Sequence, residues 1–164
     1  MCKADSSPVK WWHVVLIITA SLVVTADQLS KLWIRTYPQG HLLNKAGFFQ
    51  IIHIRNTGAA FGVFQDQSLA LAIVALIGVA VTVFLAFYAY RRFPLLARMP
   101  NRIAFGLILG GTVGNLIDRL SLGYVTDFID VGFWPVFNIA DSAIVIGVII
   151  VAHSLLRLAI TKED

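Results

Sequence analysis

Four stretches of the chain are apolar almost without interruption, and polar residues collect between them. About 20 consecutive apolar helical residues cross the roughly 30 Å hydrocarbon core of a bilayer. On that measure the pattern predicts helices over about 11–34, 69–90, 103–121 and 139–160. The second, from Leu69 to Tyr90, holds no charge. The third is apolar from Ile103 to Ile117 and ends at Asp118 and Arg119. The fourth carries Asp141 near its start. Lys3 and Lys10 ahead of the first stretch look like the front of a cleavable signal sequence. However, Asp27, Gln28 and Lys31 follow directly, without a small-x-small cleavage site, so the segment reads as a retained helix.

The connection between the first two helices is too long for a simple turn. Phe48 to Arg55 is rich in strand formers, Asn56-Thr57-Gly58 has turn composition, and Ala59 to Phe64 is apolar again. A β region over about 40–65 is favoured over a connector that merely packs on helix ends. The fold class expected is an all-α membrane protein, a four-transmembrane-helix bundle with a small extracytoplasmic β-sheet and loop. Residues 1–164 form a single domain in this reading.

Composition strengthens the membrane reading. Apolar residues make up 58% of the chain and charged residues 13%, against ~45–50% and ~25% in soluble domains. Lys3, Lys10, Arg91, Arg92, Arg98, Arg102, Arg157 and Lys162 fall on the side of the termini. Lys31, Arg35, Lys45, Arg55 and Arg119 fall on the other. The positive-inside rule therefore puts both termini in the cytoplasm, with Trp11, Trp12, Tyr88 and Tyr90 near that interface. The net charge of +4 is thus unevenly spread, and no nucleic-acid partner is expected. The single Cys2 allows no internal disulfide, and without an apolar run before it Cys2 is not a processed lipoprotein cysteine.

Acids show the opposite asymmetry. Asp27, Asp66, Asp118, Asp127, Asp130 and Asp141 lie on or near the outer side, whereas only Asp5, Glu163 and Asp164 lie inside. Ionisable groups at membrane depth are costly and need partners or a task. Asp27 and Lys31, four apart on a helix, suit an ion pair that anchors one helix to another. Gly106, Gly110 and Gly114, with Gly111 beside them, form a small-residue face for close helix packing. Asn115 and Asp118 continue that helix outward, and Asp118-Arg119 is either an interfacial charge pair or part of a site. Asp127 is either solvated in a loop or held under a low-dielectric roof. Asp130, near Gly132 and Pro135, reads as a turn residue. Asn138 and Asp141 resemble an N-cap and its N3 partner, and taken alone that reading wins. Company changes it, because the short connection brings Asp127 and Asp141 to the same interface. Two aspartates in a partly dry site can share one proton, so that one activates water while the other polarises a carbonyl.

Other chemistries fit less well. His13, His41, His53 and His153 have no zinc-ligand spacing, and no nucleophile elbow or P-loop is present. Neither a metal nor a cofactor is expected. A small transporter would carry an acid in mid-membrane, whereas here the acids cluster at one interface. In a purely structural subunit, replacing Gly110 and Gly114 would matter more than replacing the aspartates.

Five runs carry a resemblance to a known family: Asp27-Gln28-Leu29-Ser30-Lys31, Arg55-Asn56-Thr57-Gly58-Ala59-Ala60-Phe61, Gly110 to Arg119, Val125-Thr126-Asp127-Phe128-Ile129 and Phe137 to Ala143. In order and spacing over nearly the whole chain they resemble lipoprotein signal peptidase, or signal peptidase II. The resemblance implies a catalytic pair at Asp127 and Asp141. It also implies substrate-binding or supporting roles for Asp27, Asn56, Asn115, Asp118, Arg119 and Asn138. The implied substrate is a diacylglyceryl-modified prolipoprotein, cut just before the lipidated Cys in the bacterial inner membrane. The implied partners are membrane lipid and a globomycin-type inhibitor, with the enzyme a monomer. Thr126 stands where the family commonly has Val, and its hydroxyl is expected to have little effect.

Overall fold

A computed structural model describes residues 9–58, 67–93, 96 and 98–160. Helix α1 spans Val9–Ile34, α2 Ser68–Arg92, α3 Met99–Leu122 and α4 Ile139–Ile160. Each is long and apolar enough to cross a membrane. At about 1.5 Å rise per residue, even the shortest reaches roughly 33 Å. The helices overrun the expected spans by a few residues, mainly because α3 starts early, with Pro100 in a first turn that needs no proline N–H. It stops where Gly123 takes a left-handed conformation (φ 78°), its N–H closing on the Arg119 carbonyl.

Helix α3 is the centre of the bundle. It packs against α1, α2 and α4. Of its membrane-length apolar stretch 44% is buried, against 11% for each of the other three helices. Glycines permit this closeness. Added Cβ atoms at Gly106 and Gly110 would meet Thr19 and Val23 of α1 at 2.7 and 2.8 Å, distances that real contacts do not adopt. Gly114 also faces α1, at Asp27, so the expected packing face is present. Gly111 turns the other way, onto Ala140 and Ile144 of α4. Side chains facing away from the bundle, such as Ile17, Leu22, Phe84 and Ile149, stay exposed, as a lipid-facing surface requires.

At one end of the bundle lies an antiparallel sheet of order β1-β2-β3, with β1 at Leu42–Ala46, β2 at Phe49–Asn56 and β3 at Val125–Asp130. Gly47, at φ 64°, makes the two-residue turn between β1 and β2. The third strand departs from the sequence expectation, which left Val125–Ile129 in a loop. It pairs with β2 in a register that sets Ile54 against Asp127 and Asn56 against Val125. Asp130 ends the strand and accepts the Gly132 N–H at 2.8 Å, which is the turn role expected of it. Residues 59–65 of the expected β region lie outside the described residues, as do Cys2, Lys3, Asp5, Asp66, Lys162, Glu163 and Asp164, and the side chains of Lys10, Trp11 and Trp12.

Candidate active site

The end of the bundle that carries the sheet also gathers four aspartates from three helices and a strand. The short α3–α4 connection contains β3, so Asp127 is delivered to the first turn of α4, where Asp141 stands. Asp127 is buried, 2% exposed, which settles its environment in favour of the low-dielectric roof. Its Oδ1 accepts from Asn138 Nδ2 at 2.7 Å and its Oδ2 from Asn56 Nδ2 at 2.8 Å. Asn56 is in turn fixed by its Oδ1, which accepts the Gly58 N–H at 3.0 Å in the expected turn.

Asp141 is half-buried. The helix-capping reading holds: the Asp141 N–H donates to Asn138 Oδ1 at 2.9 Å and the Asn138 N–H to Asp141 Oδ2 at 3.2 Å. The cap does not exhaust the carboxylate, because Asp141 Oδ1 also accepts from Asn115 Nδ2 at 2.7 Å. Asp127 and Asp141 both line one cavity of about 670 Å³, with Asn56, Asn115, Arg119, Trp134, Phe137, Ile144 and Val145 among the other walls. Burial, and then repulsion from the facing Asp141, push the Asp127 carboxyl from an ordinary 3.8 up to about 7, against the two asparagine hydrogen bonds. A carboxyl there holds or releases a proton at neutral pH.

Behind this pair lies a fully buried ionic cluster. Lys31 Nζ sits 2.8 Å from Asp27, 3.3 Å from Asp118 and 2.9 Å from Asn115 Oδ1. The expected Asp27–Lys31 pair is therefore present, and it does anchor helices. Asp27 Oδ1 also accepts the Ala140 N–H at 3.1 Å, tying α1 to the start of α4. Gln28 joins the cluster by donating to Asp118 Oδ1 at 3.1 Å. Asn115 Oδ1 accepts from both Lys31 and Asn138, so one amide links the cluster to both carboxylates facing the cavity.

The alternative of an Asp118–Arg119 charge pair is corrected. Successive helical residues do not face each other. Asp118 turns inward to Lys31 and to Arg35, whose Nη2 lies 2.6 Å away, while Arg119 lines the cavity. All eight residues named from the sequence thus meet at one end of the bundle. Sequence reasoning missed Lys31 as the hub of the cluster, together with Gln28, Arg35 and Thr126. The spacing of Asp27, Lys31 and Arg35 at successive fours along one helix face was the available signal. Among the described residues, no three His, Cys, Asp or Glu side chains gather as a metal-binding group.

The chain is similar to known proteins in both sequence and fold. A family model described as signal peptidase (SPase) II matches residues 19–157. A lipoprotein signal peptidase of Dehalococcoides mccartyi is 48% identical over 136 residues, 82% of this chain and 84% of its own. One from Moorella thermoacetica is 45% identical over 142 residues, covering 85% and 91%. A solved structure described as a bacterial membrane enzyme superposes with a TM-score of 0.77 at 33% identity, covering 87% of each chain.

Proposed function

The chain belongs to the signal peptidase II family, a family of membrane peptidases acting on prolipoproteins, and from that premise we propose that Asp127 and Asp141 are its catalytic pair. The observation that carries this is the joint exposure of the two carboxylates to one cavity, with Asp127 raised to about 7. Asp127 holds the shared proton and Asp141 starts ionised. Asp141 takes a proton from water as the hydroxyl adds to the scissile carbonyl carbon, and Asp127 gives its proton to the carbonyl oxygen. The tetrahedral diol then collapses. A diol proton returns to Asp127, Asp141 protonates the leaving nitrogen, and the C–N bond breaks.

Asn56, Asn115 and Asn138 hold the two carboxylates without neutralising them, as their hydrogen bonds support. Arg119, on the cavity wall, faces substrate. Asp27 and Asp118 act from behind, through the ionic cluster. The substrate is a prolipoprotein whose Cys carries diacylglycerol, cut just before that Cys. The apolar walls at Ile144 and Val145 suit its acyl chains. The protein works as a single 164-residue domain and as a monomer, in the bacterial inner membrane, with surrounding lipid as solvent and a globomycin-type cyclic peptide as inhibitor. Arg91, Arg92, Arg98, Arg102 and Arg157 occupy the bundle end away from the sheet, which supports cytoplasmic termini and a site at the outer face.

The test is incubation of purified protein with a diacylglyceryl-modified precursor, with and without globomycin. Cleavage before the modified Cys, blocked by the inhibitor and absent in Asp127→Asn and Asp141→Asn, is expected. Normal processing by either variant removes that residue from the chemistry.

A further inference from the structure

Strand β3 is an edge strand. Strand β2 pairs with one side of it; on the other side Phe137 forms a backbone bridge with Ile129, and the stretch before it, at Thr126, needs a different hold. Two groups provide it at Thr126, the residue before Asp127. The Thr126 N–H donates to Asp118 Oδ2 at 3.0 Å. The Thr126 hydroxyl accepts from Arg35 Nε at 2.8 Å, and the same guanidinium donates through Nη2 to Asp118 Oδ1 at 2.6 Å. Thr126 and Asp118 are fully buried, and the Arg35 side chain is 19% exposed. The end of α1, the end of α3 and the strand bearing Asp127 are thus joined through one planar group.

We propose that Arg35 and the Thr126 hydroxyl are positioning residues, which with Asp118 clamp β3 at Thr126, before the Phe137 bridge, and hold the Asp127 carboxylate where it meets Asp141. The proposal rests on the peptidase reading above. Successive strand residues point to opposite faces, so a grip on Thr126 fixes the rotation of the strand that aims Asp127. An arginine suits the task because its rigid fork serves two acceptors on different elements at once, whereas an ammonium is a point charge. The hydroxyl is equally specific. A valine would fill the same space and leave a guanidinium N–H facing a methyl group. The hydroxyl, expected from the sequence to have little effect, accepts a hydrogen bond from a charged donor.

The experiment is steady-state cleavage of a diacylglyceryl-modified precursor by wild type, Thr126→Val, Thr126→Ser, Arg35→Lys and the Thr126→Val/Arg35→Lys double variant, with thermal unfolding of each in the same detergent. Thr126→Val is expected to lower kcat about tenfold, with KM within about twofold of wild type. Thr126→Ser restores most of the rate. Arg35→Lys keeps the charge near Asp118 but loses the second donor, so it matches Thr126→Val, and the double variant loses no more than either single one. Should Thr126→Val fail to fold, Arg35→Lys and Thr126→Ser carry the same decision, by slow and near-normal turnover respectively. A wild-type kcat in Thr126→Val and Arg35→Lys, or equal losses in the Val and Ser variants, overturns the clamp and leaves the peptidase reading standing. Failure of wild type itself to cleave overturns that reading, and the clamp with it.

Discussion

Four aspartates meet at one end of this bundle, and they fall into two pairs with opposite surroundings. Asp27 and Asp118 are fully buried against Lys31, and Asp118 also against Arg35, so each carboxylate faces a cation at 2.6–3.3 Å. Asp127 and Asp141 receive hydrogen bonds from Asn56, Asn138 and Asn115, and among the described residues neither forms an ion pair. One pair is neutralised and sealed, and it joins helices. The other keeps its charge problem unsolved and faces a cavity. On the proposed reading, the surroundings of the same side chain therefore divide structure from chemistry, and the dividing element is whether the donor carries a charge. Asn115 stands on the border, accepting from Lys31 and donating to Asp141.

Substitutions that neutralise one pair at a time separate these roles. The largest effect is expected in the unsealed pair. Asp127→Asn or Asp141→Asn should lower precursor cleavage by about 10³-fold or more, while detergent thermal unfolding still shows a folded protein. The sealed pair should respond in stability first. Lys31→Met strands two buried carboxylates and is expected to cost about 3–5 kcal/mol, read as a lower unfolding midpoint or lost folded yield. Asp118→Asn keeps shape but loosens the hold on Thr126. Cleavage should fall about ten- to a hundredfold, short of the loss in Asp127→Asn. A loss equal to that of Asp127→Asn with an unchanged midpoint would move Asp118 into the chemistry.

The smallest effect is the most specific. Asp127, raised from 3.8 to about 7, keeps its proton in the folded chain at pH values where the unfolded chain has lost it. Stability contributed by the protonated carboxyl is present below about pH 4 and is lost as pH rises through about 7. Wild type should therefore lose unfolding temperature between pH 5 and 8, and Asp127→Asn should lose less over the same range. Parallel slopes in the two proteins would mean that Asp127 is not the strained carboxyl.

Much of this contrast is legible in the chain before any coordinates. Four long apolar runs leave no alternative to helices, and Asn138 to Asp141 reads as a helix start because a cap is a local device. The i,i+4 pair of Asp27 and Lys31 is local in the same way. What escapes is non-local. Strand β3 pairs with β2 about 70 residues earlier, and no short turn joins the two strands to announce the pairing. Asp118 sits beside Arg119 in sequence, yet its partners, Lys31 and Arg35, come from α1. Arg35 looks like one more basic residue at a membrane interface until β3 arrives beside it. The hydroxyl of Thr126 finds a use only once that strand is clamped.

The most direct measurement is the pH dependence of kcat/KM for a diacylglyceryl-modified precursor between about pH 4 and 9. One proton divided between two carboxyls requires one of them ionised and the other protonated. The expected profile is a bell whose alkaline limb falls near 7, where Asp127 gives up its proton. A rate that stays level to pH 9 would contradict a proton held between Asp127 and Asp141.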